Sequence, residues 1–140
     1  MPAKKMIQYG ALPFELRGGE TRVVLVTSRP NRRWILPKGR PERGMPPYEV
    51  AAHEAYEEAG LIGRIEQQPF FAFDSTKRLK TGREVTCLVK VYLFEVETLL
   101  DDWPEKHERE RCWASPGEAI TMVSEPGLAQ LLIRFAALTL

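Results

Sequence analysis

Residues 36–61 read LPKGRPERGMPPYEVAAHEAYEEAGL, and the second half of that string decides how the chain is organised. Pro46 and Pro47 suit the first turn of a helix, where a missing N–H costs nothing, and Gly60 suits the position just past its end. Residues 48–59 between them are rich in alanine. At about 100° per residue, Tyr48, Ala51, Ala52, Ala55 and Ala59 gather into a stripe of mostly small side chains that lets a helix lie close to a sheet. Glu54, Glu57 and Glu58 fall beside that stripe at i, i+3 and i+4, so three carboxylates share one face.

That arrangement is locally unfavourable. Like charges at these spacings repel by roughly 0.2–0.5 kcal/mol per pair. Glu57 and Glu58 also sit in the last turn, where the helix dipole prefers cations. No Lys or Arg lies within the helix to offset them. Three glutamates alone describe an ordinary solvated acidic face. The preceding loop changes the reading, because Lys38 and Arg40 flank Gly39, where backbone can approach a ligand closely. Cations that position phosphate beside carboxylates that hold a metal are what phosphoryl chemistry requires. Mg²⁺ suits such carboxylates, since it takes oxygen ligands and completes its shell with water and substrate phosphates.

Working outward, residues 6–16 carry Ile7, Tyr9, Ala11, Leu12 and Phe14 and predict a strand. Residues 17–20 are a turn signal, and the run Val23, Val24, Leu25 and Val26 predicts a buried strand that completes a hairpin. Residues 28–33 predict a polar loop, and Trp34, Ile35 and Leu36 a short strand stopped by Pro37. Beyond the helix, strands are expected in parts of 63–73 and over 84–97, separated by a basic turn at 77–83. Residues 101–111 are charged and broken by Pro104, hence a loop. Ser115, Pro116, Gly117 and Glu118 open a short helix, and residues 127–138 read as a final amphipathic one. Strands on both sides of a central helix predict an α/β protein, a mixed sheet covered by helices.

The bulk numbers set limits. A chain of 140 residues, 44% of them hydrophobic, fits a single domain over 1–140 with a real core. With 20 Lys+Arg against 19 Asp+Glu, overall charge points to no polyanionic partner, and any attraction for phosphate must be local. The opening residues are basic without an apolar run behind them, and no apolar stretch reaches the roughly 20 residues that span a bilayer. Cys87 and Cys112 lie far apart with no His/Cys cluster, and Cys87 reads as core. The expected protein is cytoplasmic, with no membrane partner.

The residues Gly39 to Leu61 resemble the Nudix box, the 23-residue signature of Nudix hydrolases. Gly39, Glu54, Glu57, Glu58, Gly60 and Leu61 match it, and Ala55 fills an aliphatic place. Met45 and His53 stand where the box has a glutamate and an arginine, which looks like a paired replacement packing the same space. The runs 26–29 and 33–39, the basic turn 77–83, residues 100–103 and residues 109–113 are similar to the branch that hydrolyses diphosphoinositol polyphosphates and diadenosine polyphosphates.

The resemblance implies an α/β/α sandwich around a central mixed β-sheet. It also implies Mg²⁺, with Mn²⁺ as a substitute, held by Glu54, Glu58 and the Gly39 carbonyl. Glu57 is then the general base that activates water, with Glu54 as its rival. Arg29, Arg33, Lys38, Lys77, Arg78, Lys80, Arg83 and Arg109 are candidates for substrate phosphate. His53 lies at the edge of the acidic face and reads as structural, though able to brace Glu57. Trp34 and Trp113 fit packing better than stacking on a base. The implied function is pyrophosphate cleavage in a polyphosphorylated small molecule by a monomer or homodimer. A weak or inactive ligand-binding module and an RNA 5′-end pyrophosphohydrolase are the alternatives. Nucleic acid other than such RNA ends is not an expected partner.

Overall fold

The computed structural model describes residues 5–29 and 31–138. The basic opening residues 1–4, Pro30 in the loop before the box, and the last two residues of the apolar C-terminal stretch lie outside them. The chain runs β1 (Met6–Arg17), β2 (Glu20–Thr27), β3 (Trp34–Ile35), β4 (Lys38–Gly39), α1 (Pro47–Ala59), β5 (Leu61–Ile65), β6 (Phe71–Arg78), β7 (Glu84–Leu99), β8 (Arg111–Ala114), α2 (Pro116–Met122) and α3 (Pro126–Leu138).

The expected hairpin joins β1 and β2 antiparallel. Its two-residue turn needs positive φ at both central positions, and Gly18 and Gly19 supply φ 58° and 81°. β1 and β7 pair in parallel over nine residues, from Met6↔Cys87 to Phe14↔Glu95. β5 and β6 add to β7 antiparallel, while β3 and β8 add to β2. The sheet is therefore mixed, as expected. β4 and β8 were not expected; each is a short segment recruited by a strand already in place.

Side-chain alternation splits the sheet into two buried faces. Ala11, Val24, Val26, Tyr92 and Phe94 meet Ala51, Ala55 and Ala59 of α1. Leu12, Val23, Leu25, Val89 and Val91 meet Leu128, Leu131, Leu132 and Phe135 of α3. The small-residue stripe on α1 thus packs on the sheet, and the apolar stripe on α3 is core. Cys87 is buried, and both cysteines are free. Among the described residues no helix is long and apolar enough to cross a membrane. The layered sheet leaves α1, β4 and the β6–β7 turn around one open edge.

Candidate active site

The end of α1 determines the site. Gly60 closes the helix in the left-handed region, at φ 66°. The last-turn carbonyls are then satisfied by a single loop, residues 100–110, and the start of β8. Glu105 N donates to Glu57 O at 3.0 Å. Trp103 Nε1 donates to Glu58 O at 3.2 Å, and Arg111 Nη1 donates to Ala59 O at 2.8 Å. The Arg111 guanidinium also lies 3.8 Å from the Trp103 ring centroid. A cation therefore stands at the negative end of this acidic helix after all, delivered from a distant strand.

The three glutamates differ in surroundings. Glu58 is buried, not on a solvated face: it is 6% exposed. Its Oε1 accepts from Lys38 N at 3.2 Å, and its Oε2 accepts from Arg109 Nη2 at 3.1 Å. Glu57 is half-buried and pairs with His53 Nε2 at 2.7 Å. The Glu54 carboxyl fills the space beside Gly39 so closely that a Cβ at residue 39 would run into it. Burial first, then repulsion from Glu57, pushes Glu54 up to about 7. Burial lifts Glu58 to about 8, although Arg109 pulls the other way. Desolvation outweighs the ion pair here, as it often does for buried charges. Among the described residues, no three His, Cys, Asp or Glu side chains are grouped as a ready-made metal cluster.

These carboxylates line an open cleft of about 1070 Å³. Arg29, Arg33, Lys38, Lys77, Arg78 and Lys80 line it as well. Arg83 is not brought to its wall; its backbone closes the β6–β7 turn with Leu79. Arg29 is ion-paired with Glu108, and Arg78 with Glu84 at 3.4 Å.

Arg109 is placed differently from expectation. Its Nε donates to Glu105 at 2.7 Å, its Nη1 to Thr27 O at 2.9 Å, and its Nη2 to Glu58. It lines the cleft as well, but its side chain is 8% exposed and these three bonds hold it to Glu58 and its surroundings.

Arg40, named with Lys38 from the sequence, lines the cleft, while Gln8, Glu105 and Glu125 escaped the sequence reading. Gln8 had a signal, since a polar residue between Ile7 and Tyr9 breaks an apolar strand. Glu105 and Glu125 lie in charged or irregular segments where nothing local distinguishes them. Trp34 and Trp113 do pack, Trp34 against the α3-side core and Trp113 against the α1-side core.

Comparison with known proteins bears on the family and the fold. A family model described as NUDIX domain matches residues 6–135. The chain is 33% identical over 117 residues to Nudix hydrolase 12, mitochondrial, of Arabidopsis thaliana, covering 80% of this chain and 57% of that protein. It is 32% identical over 108 residues to diphosphoinositol polyphosphate phosphohydrolase 3-beta of Homo sapiens, covering 74% of this chain and 61% of that one. The chain thus spans a little over half the length of these two relatives. The crystal structure of C. elegans Ap4A hydrolase superposes with a TM-score of 0.68 at 19% identity, over 98% of this chain and 100% of that one.

Proposed function

The chain belongs to the Nudix family, and from that premise we propose that it hydrolyses a phosphoanhydride bond in a polyphosphorylated small molecule. The observation that supports this reading most is one cleft lined both by the α1 carboxylates and by a set of cations.

A hard divalent cation, Mg²⁺ or Mn²⁺ in its place, fits the carboxylates. The donors there are all oxygens, two carboxyls are held above their usual range by burial and crowding, and Gly39 is the residue whose missing side chain lets Glu54 in. Glu54, Glu58 and the Gly39 carbonyl would hold the ion. When bound, it supplies charge neutralisation at the phosphate oxygens and polarisation of the attacking water.

The chain's own groups do the rest. Glu57, steadied by His53, accepts the proton of the water that attacks phosphorus, with Glu54 the rival for that role. Arg109 keeps Glu58 oriented and is a positioning residue. Lys38 and Lys77, with Arg29, Arg33, Arg78 and Lys80 at the rim, draw the phosphates into line. The P–O bridge breaks, and the departing phosphate leaves with the bridging oxygen.

The lining also bears on substrate. Among the described residues that line the cleft there is no Phe, Tyr or Trp, so a nucleobase has no aromatic ring to stack on. This favours a diphosphoinositol polyphosphate over a diadenosine polyphosphate. The free cysteines fit a reducing compartment such as the cytoplasm.

The test is product analysis with and without Mg²⁺ on a diphosphoinositol polyphosphate, a diadenosine polyphosphate, a sugar nucleotide and triphosphorylated RNA. Mg²⁺-dependent cleavage is expected, fastest on the first. Binding without any product would replace this reading by that of a ligand-binding module. Preference for the RNA would make the protein a 5′-end pyrophosphohydrolase.

A further inference from the structure

The charges that line the cleft are matched unevenly. Glu84 pairs with Arg78 at 3.4 Å, Glu58 and Glu105 pair with Arg109, and Glu57 pairs with His53. Among the described residues, Glu54 and Glu125 are the lining carboxylates with no cation in ion-pairing distance. Glu54 belongs with the α1 carboxylates. Glu125 stands just before α3, and bond cleavage does not use it.

Its setting gives that lack of a partner meaning. Ser75 and Lys77 follow Phe73 on the α3-side face of β6. The Ser75 hydroxyl, on a residue only 4% exposed, donates to Glu125 Oε2. Glu125 Oε1 has no hydrogen-bond partner among the described residues. Gln8 Oε1 is the buried side-chain atom left unpaired there, so Glu125 Oε1, on a partly exposed residue, is open to the cleft. Lys38 reaches the same side of the sheet: it pairs with Gly10, and a Cβ at residue 10 would come within 3.3 Å of the Lys38 Cβ. The charges of Lys38, Lys77 and Glu125 all bear on the Cys87 thiol, opposite Ser75 in the sheet. Lys38, Arg40 and Lys77 have no carboxylate partner among the described residues, unlike Arg29, Arg32, Arg78 and Arg109. They also crowd one another, since burial and then Arg40 and Lys38 hold the Lys77 ammonium below its usual range.

Unpaired cations suit phosphate, and a carboxylate among them does not. A phosphate at Glu125 Oε1 would set two anions together, and a carboxylate has lone pairs but no N–H or O–H to offer in compensation. A ligand hydroxyl can donate there. We propose that Glu125 is a specificity-determining residue: it accepts a hydrogen bond from an unphosphorylated hydroxyl of a polyphosphorylated polyol and keeps phosphate from that position, while Lys38, Arg40 and Lys77 hold the neighbouring phosphates. Selection of this kind works by repelling the wrong ligand as much as by holding the right one. The proposal rests on the reading of the cleft as a polyphosphate site.

Titration calorimetry at about pH 8, where phosphate monoesters are doubly ionised, tests it without turnover. The probes are the inositol pentakisphosphates, each with one free hydroxyl, and inositol hexakisphosphate, which has none. The wild type is expected to bind one pentakisphosphate isomer more tightly than the others and no more weakly than the hexakisphosphate. Glu125→Gln removes the charge. Hexakisphosphate and the other isomers should then gain about fivefold to tenfold, the effect of one charge near contact in a water-filled cleft, while the preferred isomer gains nothing. Glu125→Ala carries the same test if the glutamine variant does not fold. Ser75→Ala cuts the tie to β6 but leaves the charge, so it should keep the wild-type order. A uniform gain for every probe in Glu125→Gln, no gain for any, or loss of the order in Ser75→Ala overturns the proposal and leaves the hydrolase reading standing. Failure of every polyphosphate to bind overturns both.

Discussion

Glu57 and Glu58 are adjacent in the chain, yet their environments prepare them for different work. Glu57 faces the cleft half-exposed with His53 at 2.7 Å, so replacing it should disturb chemistry and not folding. Glu57→Gln is expected to lower kcat by about 10²–10⁴, the usual contribution of a general base, with an unchanged melting temperature. Steady-state kinetics on the cleaved substrate measures this, and near-normal turnover would transfer the role to Glu54. Arg109 is the opposite case. Its side chain and that of Glu58 are 8% and 7% exposed, so removing the arginine strands a buried carboxylate. Above about pH 8, where Glu58 is ionised, Arg109→Met should cost about 3–5 kcal/mol in a urea melt, and adding Glu58→Gln should recover most of that loss. Arg29, half-exposed in its pair with Glu108, should cost less than about 1 kcal/mol when truncated.

At the scale of elements, α1 is an acidic helix that depends on a loop. Three successive carbonyls, of Glu57, Glu58 and Ala59, are satisfied by Glu105, Trp103 and Arg111. Arg111 also donates to Leu100 O at 2.5 Å, tying the loop to the helix end. Arg111→Ala is therefore expected to loosen the last turn of α1, which carries Glu57 and Glu58. Amide hydrogen exchange should quicken at the end of α1 while β1 and β7 keep their protection, at a cost of about 1–2 kcal/mol. Equal quickening everywhere would show a global effect instead. This dependence marks the border of what could be read from the chain. Pro46, Pro47 and Gly60 bracket the helix because their backbone preferences are local, and Gly18 and Gly19 announce the hairpin for the same reason. The box glutamates were legible by their spacing. The burial of Glu58 was not, because a helical wheel shows which residues share a face and not which loop covers it. Arg109 and Arg111 lie about 50 positions from the carbonyls and carboxylate they serve. β4 and β8 were missed because two and four residues become strands only through the edges they meet.

For the molecule as a whole, a formal net charge of +1 conceals a local concentration of both signs, since carboxylates and cations line the same cleft. Gathering the carboxylates makes stability depend on pH. In the folded protein Glu58 titrates near 8 and Glu54 near 7, both above the unfolded value of 4.5. Between those limits the folded state binds more protons than the unfolded one. The stability these two groups support is therefore complete below about pH 4.5 and is lost as pH rises through about 7 to 8. Each proton is worth about 1.4 kcal/mol per pH unit, and solvent screening reduces the share of the more accessible Glu54. The thiols of buried Cys87 and partly buried Cys112 are pushed by desolvation above their ordinary value of 9.0, so they contribute no slope below that pH. Urea melts with a chelator present should show stability falling between about pH 5 and pH 8 and levelling off above that, and Glu58→Gln, which cannot ionise, should flatten the fall. Mg²⁺ should flatten it as well, because binding to the ionised carboxylates stabilises the folded state most where they have lost their protons. A slope identical in the wild type and in Glu58→Gln would place the dependence on other groups and remove the strain assigned here to the carboxylates of the cleft.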